Sequence, residues 1–239
     1  MNKSSEDSRR FKRAPRRDGL KARSVVLEAA GRVFAERGFA EATSKEICKL
    51  SGVNSAAVNY YFGSKENLYE EVLIEAQRQM MSLDVLSGIV SSENTPEEKL
   101  RDFLRRIVQT AVATPGHWGI RVILREFVSP SRHAIKILPA NGFPKADKLS
   151  VLIQEITGLP PDSAHMQRAV ALVAMPCVAL ILFYETLRPV LLPASASVPE
   201  ELLEDMLAYS LGGLRALSDA DRWPICTEKP PYLPGSTPK

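Results

Sequence analysis

The stretch TSKEICKLSGVNSAAVNYYFGSKENLY, residues 43–69, constrains the fold more than any other part of the chain. Thr43 and Glu46 have the spacing of a capping box, which predicts the start of a helix. Gly52 breaks this helix, and Asn54 is a good N-cap for a second one. The sequence therefore predicts two short helices that are joined by a tight turn.

The spacing of apolar residues fits two packed helices of this kind. We expect four side chains of the stretch to face a core that includes Val33 and Phe34: Ile47, Leu50, Val53 and Val58. Four others are left facing outward: Ser55, Ala56, Asn59 and Tyr60. A helix pair of these dimensions is typical of a helix-turn-helix, whose second helix fits the major groove of B-DNA. A plain helix-loop-helix is the alternative.

Helical periodicity also dominates the rest of the chain. β-Branched residues are scattered, and no Asn-Gly or Asp-Gly pair joins two alternating runs, so few strands are expected. Capping residues, prolines and glycines delimit the further helices: about 21–37, from 65, from 96 to 115, 117–128, 144–158, 163–188 and 199–218. Beyond Met81 the chain changes character, and a polar gap, SSENTPEEKL at residues 91–100, supplies the helix start on Pro96.

Basic residues are concentrated at the N-terminal end. Residues 1–60 contain 13 Lys or Arg against 7 Asp or Glu, a net charge of +6, whereas the whole chain carries +3, so the remainder carries −3. This asymmetry is typical of proteins that bind a polyanion, because neutralised phosphates release condensed counterions. For residues 1–20 alone, a solvated basic tail is the alternative.

The composition gives little support for other classes of protein. The N-terminus has no apolar core of a secretory signal, and no run of 18 uncharged apolar residues occurs, so we expect a cytoplasmic protein that does not contact a membrane. The cysteines are three and far apart, which suggests neither a disulfide framework nor a zinc site.

The histidines do not form a recognisable catalytic or metal-binding motif. His117, His133 and His165 lie in different segments, and none has a metal-ligand partner at helical spacing. We therefore expect no enzyme, no metal and no cofactor.

The wider pattern VLEAAGRVFAERGFAEATSKEICKLSGVNSAAVNYYFGSKENLYEEVL resembles the DNA-binding domain of the TetR family of transcriptional regulators, over about residues 21–72. The matching landmarks occur in one order: Ala29-Ala30, Phe34 before RGF, Thr43, Ile47, Gly52-Val53, and Tyr61-Phe62 before GSKENLY. The remainder, with RVILREFVSPS after a Pro-Gly break, is similar to the effector domains of the CecR-like branch. The resemblance implies a repressor that a small-molecule effector releases from a palindromic operator. A helical ligand-binding or scaffolding protein that has lost DNA binding is the alternative.

The same resemblance implies a set of DNA-binding residues: Thr43, Ser44, Ser55, Ala56, Asn59, Tyr60, Tyr61 and Lys65. Thr43 and Lys65, at the amino ends of two helices, would meet phosphates. Asn59 can contact adenine through two hydrogen bonds, and Ala56 can touch a thymine methyl group. Tyr60 would reach a phosphate or sugar through its hydroxyl, and the role of Tyr61 is open.

The expected fold class is all-α, with an N-terminal three-helix helix-turn-helix domain followed by a larger helical ligand-binding and dimerisation domain. We expect four regions along the chain: a basic disordered arm over 1–20, a DNA-binding domain over 21–68 with its helix-turn-helix at 43–62, an effector-binding and dimerisation domain over 69–222, and a Pro-rich tail over 223–239.

The last two helices are expected to form a homodimer interface. The final helix carries one apolar stripe: Leu203, Met206, Leu207, Ser210, Leu214 and Leu217. The helix before it is apolar nearly all round from Ala169 to Tyr184, so it must be covered on every side. The resemblance implies a four-helix interface between two subunits, and an ordinary monomeric core is the alternative.

Pro176 should kink the first of these two helices and leave room for a ligand. The candidate lining residues are Phe103, Trp118, Arg121, Arg125, Phe127, Met175, Phe183 and Tyr184. Arg121 and Arg125 would favour an anionic effector if both pointed inward, and exposure at the surface is the alternative.

Overall fold

A computed structural model of the chain describes residues 17–113, 117–191 and 199–218. The described residues form ten α-helices and no strand: α1 Arg17–Glu41, α2 Ser44–Ser51, α3 Ser55–Phe62, α4 Lys65–Met80, α5 Leu83–Val90, α6 Pro96–Ala113, α7 Trp118–Val128, α8 Arg132–Thr157, α9 Ala164–Leu191 and α10 Pro199–Ser218. The all-α fold class is confirmed. Most of the predicted basic arm and the whole Pro-rich tail lie outside the described residues.

The predicted start and stop residues of α2 and α3 are confirmed. The Thr43 hydroxyl accepts a hydrogen bond from the Glu46 N–H, while the Glu46 carboxylate accepts one from the Thr43 N–H, which completes the capping box. Gly52 ends α2 in the left-handed conformation at φ 70°. The Asn54 side chain then accepts the Ala57 N–H at 2.9 Å and so starts α3. Each cap satisfies a backbone donor that has no partner inside its helix.

The first helix is longer than predicted and is interrupted near its end. It begins at Arg17, and Gly38 leaves the helical conformation at φ 74° and ψ 173°. A short turn follows before α2. The predicted break at Gly38 is therefore confirmed, and it leaves the carbonyl groups of the preceding turn without their helical donors.

Two parts of the larger region differ from the sequence-based expectation. The segment between Met81 and the polar gap, for which no helix was predicted, contains α5, which Ser82 caps by accepting the Val85 N–H. Helix α8 begins at Arg132 instead of near residue 144, and it includes Pro139 and Pro144. Both prolines are exposed, while buried side chains on the opposite face of α8 pack on the core, so tertiary packing overrides the local cost of proline.

A continuous hydrophobic core runs from Val26 in α1 to Leu214 in α10. Ile47 and Val58 are buried in it, and Val53 packs against it, as predicted. Leu50 was expected in the core, but it is 53% exposed at the end of α2. It lies beside a surface groove along α1, because the buried face of α2 is narrow and is filled by Ile47.

Helix α9 is apolar on more than one side, as expected, but the chain covers only part of it. Among the described residues, one segment, Ala164–Thr186, is long and apolar enough to cross a membrane by length and composition, with a mean hydropathy of 2.0. A third of that apolar window is buried inside the protein. Leu172 and Met175 are 61% and 58% exposed on the uncovered side.

The apolar stripe of α10 faces the core of its own chain. Leu203, Leu207 and Leu214 are buried, and Met206 and Leu217 pack against the same core. The side of α10 beside the exposed face of α9 instead presents Tyr209, Gly212 and Gly213, and Tyr209 is 80% exposed. The surface available to a partner therefore overlaps the predicted stripe only in part, at Ser210, Leu214 and Leu217, which line the groove between α9 and α10.

Candidate nucleic-acid interface

The outer face of α3 is polar, exposed and supported from below. Ser55, Ala56 and Asn59 are exposed, and Tyr60 is 83% exposed. On the opposite face, Val58 and Phe62 are buried in the core. The helix is therefore anchored by its inner side and holds three polar side chains and one methyl group toward solvent.

Tyr61 lies at the junction of α3 with α1 and is half-buried. Its ring stands edge-on to that of Tyr60, with 5.2 Å between the ring centroids. Its hydroxyl lies 3.7 Å from the position that a Cβ would take on Gly19. Tyr61 is therefore placed to fix α3 against α1, at the edge of the exposed face.

The amino end of α2 adds free backbone donors beside α3. The Thr43 hydroxyl is already engaged, because it donates to Glu46 Oε2 at 2.8 Å and accepts the Glu46 N–H at 3.2 Å. These hydrogen bonds also hold the pKa of Glu46 below its usual value. Ser44 and Lys45 are exposed, and their backbone N–H groups belong to the first turn, which has no intrahelical acceptors. An anion at this helix end would meet these two residues first.

Lys65 opens α4 on the far side of α3. Its side chain is half-buried, and its Nζ lies 4.7 Å from the centroid of the Phe39 ring. This cation–π contact holds the ammonium near the helix start, and no carboxylate of the described residues pairs with it. The charge is thus fixed at the same end of the molecule as the α2 terminus.

Helix α1 packs closely on α7 and connects these elements to the larger region. Trp118 is buried against α1, and its indole Nε1–H donates to Glu28 Oε2 at 2.7 Å. Gly31 lies under the ring: a Cβ there would be only 2.4 Å from two Trp118 ring carbons. Trp118 therefore packs the junction of α1 and α7 and does not line the apolar cavity beside Phe103.

Arg125 compensates for the break in α1. It donates from Nε to the Ala35 carbonyl at 2.8 Å and from a terminal nitrogen to the Glu36 carbonyl at 2.6 Å. These are carbonyls that the non-helical conformation of Gly38 leaves without helical donors. Arg125 is exposed and bound to α1, so it does not point into the interior of the larger region.

A buried carboxylate next to this contact joins three helices. Glu126 in α7 accepts the Tyr69 hydroxyl of α4 and, at 2.6 Å, the backbone N–H of Ser131 before α8. Burial and the Glu126 carboxylate together raise the pKa of Tyr69, which keeps the phenol protonated. Sequence reasoning missed this pair, and the only available signal was a glutamate inside the apolar run of α7.

The eight residues predicted to bind an effector do not lie in one place. Arg121 and Arg125 border a surface cleft between α1, α4 and α7, and Phe127 is 52% exposed. Met175 lies on the uncovered face of α9. Tyr184 is buried with the Arg188 guanidinium 5.8 Å from its ring centroid, and Phe183 packs against the core. Only Phe103 of the set lines the apolar cavity among α4, α5, α6, α8 and α9, because helical spacing alone does not reveal which neighbour a face meets.

Within the described ranges, no group of three or more His, Cys, Asp or Glu side chains could hold a metal ion. His133 is buried beside Glu70, 3.2 Å from its carboxylate, and its ring contacts Phe39. The polar groups that share one exposed surface are therefore those of α2, α3 and the start of α4.

Comparison with known families covers both halves of the chain. The model of the family of bacterial regulatory proteins of the tetR type matches residues 26–72. The model of the C-terminal domain of the HTH-type transcriptional dual regulator CecR matches residues 96–214. The first match contains α2 and α3, and the second extends from α6 into α10.

Curated proteins and solved structures agree with these matches. The chain is 47% identical over 51 residues to the dual regulator CecR of Shigella flexneri, which covers 21% of this chain and 22% of that protein. It is 35% identical over 81 residues to the transcriptional repressor NicS of Pseudomonas putida, covering 34% of this chain and 32% of the relative. The chain thus spans a third or less of the length of these two relatives.

A solved structure extends the likeness to most of the fold. The fatty acid degradation regulator FadR from Bacillus halodurans superposes with a TM-score of 0.63 at 20% identity, covering 80% of this chain and 99% of that one. At this identity the likeness concerns the fold alone. Together with the two family matches and the exposed helix-turn-helix, it places the chain in the TetR family of bacterial regulatory proteins, with a C-terminal domain of the CecR type.

Proposed function

We propose that the protein is a sequence-specific DNA-binding repressor that acts as a homodimer and is released from a palindromic operator by a small molecule. The observation that carries this proposal is the outer face of α3, where Ser55, Asn59 and Tyr60 are exposed on a helix whose inner face is buried. Polar side chains held in this way suit the edges of base pairs. The protein would act in the cytoplasm, where its operator lies.

The residues of this surface have distinct expected roles. Asn59 pairs with an adenine, and Ala56 contacts a thymine methyl group. Ser55 can form a hydrogen bond with more than one kind of base. Tyr60 donates to a phosphate or sugar. At α2, a phosphate binds the first-turn amides and the Ser44 hydroxyl, because the Thr43 hydroxyl is held by Glu46.

The dimer interface follows from the uncovered sides of α9 and α10. Leu172, Met175 and Tyr209 are exposed around an apolar groove of about 750 Å³ between the two helices. Gly213 lines it and has no side chain, so another helix can approach closely. A second copy of the same surface would cover these side chains and so form the four-helix interface. The helix-turn-helix domains of two subunits joined in this way would span two half-sites about 34 Å apart.

Selection of genomic DNA tests the proposal directly. The purified full chain is mixed with sheared DNA of its own source, and the retained fragments are sequenced. We expect enrichment of one near-palindromic motif, with an affinity that falls steeply as salt increases because several phosphates are contacted per subunit. Retention without any shared motif would contradict sequence-specific binding.

Variants assign the roles within the interface. Asn59→Ala should cost roughly 1 to 3 kcal/mol at one base pair of the motif, whereas Lys65→Ala should weaken binding to all sequences about equally. Gln109→Ala, exposed on α6, is the matched control for Asn59, and Lys148→Ala on α8 is the control for Lys65. If Asn59→Ala selects the same motif with unchanged preference at every position, the base-reading role is wrong.

A further inference from the structure

An apolar cavity of about 210 Å³ lies among α4, α5, α6, α8 and α9. Its wall consists mainly of aliphatic and aromatic side chains, among them Met80, Phe103, Ile107, Leu149 and Ile181. Engineered apolar cavities of about 150 Å³ bind benzene. The cavity is therefore large enough for one benzene ring with one or two small substituents, and too small for most drug-sized molecules.

The polar groups of the cavity lie on two facing helices. Lys145 of α8 lines it and donates from Nζ to the Gln77 carbonyl of α4 at 3.2 Å. An ammonium has three donors, so two remain for a ligand. Burial alone lowers the pKa of this lysine, with no contribution from a neighbouring carboxylate among the described residues. Lys99 differs from Lys145 in this respect, because its Nζ is paired with the Glu155 carboxylate at 2.9 Å.

Gln77 of α4 also lines the cavity. Its side-chain Nε2 donates to the Leu138 carbonyl at 3.1 Å, which fixes the orientation of the amide. Its Oε1 is buried and has no hydrogen-bond partner among the described residues. Because Oε1 is closed to a water-sized molecule, a ligand in the cavity does not reach it, and Lys145 supplies the polar contact.

We propose that this cavity is the effector site and that its ligand is a single-ring aromatic acid. The carboxylate pairs with Lys145, and the ring packs against the apolar wall beside Phe103. This inference rests on the proposed repressor function only where it calls the ligand an effector. The cavity and its polar groups exist independently of DNA binding.

The position of the cavity gives the ligand a route to the DNA-binding surface. Gln77 belongs to α4, and the same helix begins at Lys65 beside α3. A ligand bound between α4 and α8 therefore contacts the helix that carries part of the DNA interface. Coupling requires that the ligand bind one arrangement of α4 more tightly than the other, and DNA then weakens the ligand by the same factor.

Calorimetry with the full chain tests the site in the absence of DNA. The probes are benzoate, its three hydroxy derivatives and toluene, which has the same ring without a charge. We expect the wild type to bind benzoate more tightly than toluene. In Lys145→Met, the preference for benzoate over toluene should fall by roughly tenfold or more, since hydrogen bonds to charged groups are the stronger class. Lys148→Met on the same helix should keep the wild-type preference.

The outcomes separate this inference from the repressor proposal. If the ratio of the benzoate affinity to the toluene affinity is the same in Lys145→Met and in the wild type, the site is overturned. The site is also overturned if the wild type binds none of the five probes. This ratio does not depend on a small loss of folded protein. If the wild type binds the acids as expected but retains no DNA, the site stands and the repressor proposal fails. If it retains DNA but binds no probe, only the site is overturned.

Discussion

Substitution of Gly31 by Ala should destabilise the protein through one contact between α1 and α7. A Cβ at this position would lie 2.4 Å from two ring carbons of Trp118 and 2.7 Å from a third. Carbon atoms in optimal contact are about 3.5 to 4.0 Å apart, so the ring and α1 must separate by at least about 1 Å. The hydrogen bond from Trp118 to Glu28 at 2.7 Å restricts movement of the ring.

The expected magnitude combines two opposing effects. Overpacking of a core typically costs about 1 to 3 kcal/mol, and an overlap of this size with a restrained ring favours the upper value, about 3 kcal/mol. Alanine is a better helix former than glycine by about 1 kcal/mol. We therefore expect Gly31→Ala to lower the free energy of unfolding by about 2 kcal/mol.

Removal of the ring should reverse the sign. In a Trp118→Ala background, the steric cost disappears and Gly31→Ala should raise the free energy of unfolding by about 1 kcal/mol. Urea unfolding followed by circular dichroism measures all four proteins of the cycle, with Trp118→Leu as the background if Trp118→Ala does not fold. Gly88→Ala, where a Cβ would meet nothing within 4 Å, is the control and should stabilise both backgrounds slightly. An equal loss of stability from Gly31→Ala in both backgrounds would refute the assigned contact.

Two further predictions concern the dimer and the capping box. Leu172→Glu places a charge on the uncovered face of α9, so the dimer affinity measured by light scattering should fall at least about tenfold. Ile135→Glu, on a similarly exposed face of α8, should not change the dimer affinity. Equal effects of the two variants would contradict the proposed interface. Hydrogen bonds from Thr43 hold the pKa of Glu46 low, so their stabilisation is present above about pH 4.5 and is lost as pH falls through the folded-state pKa. Thermal unfolding of Thr43→Ala should therefore depend less on pH in this range than that of the wild type, and an unchanged pH dependence would be evidence against the box.

The caps made the helix-turn-helix predictable, because each is a contact between residues three apart in the sequence. Thr43 with Glu46, and Asn54 with Ala57, act within one turn of helix and need no tertiary partner. The exposure of Asn59 follows from the same local geometry. For this part of the chain, the sequence contained nearly all the necessary information.

The positions that the sequence did not reveal depend on distant partners. Arg125 was assigned to a ligand, but it binds carbonyls of α1 that are 90 and 89 residues away and that the Gly38 conformation leaves free. Lys145 and Gln77 were not singled out, since their relation exists only when α4 and α8 are packed together, 68 residues apart. Helix α8 includes two prolines for a similar reason. Burial of its apolar face stabilises the helix by more than the two prolines destabilise it.

The outer residues of α3 have a consequence for how such a protein can change over generations. Ser55, Ala56 and Asn59 are exposed, while Val58 and Phe62 are buried and anchor the helix. Surface substitutions away from packed contacts usually change stability by less than about 0.5 kcal/mol. On the proposed DNA-reading role, mutations at these three sites would therefore alter which operator the protein binds while the folded state persists. A duplicated copy could acquire a new operator one side chain at a time.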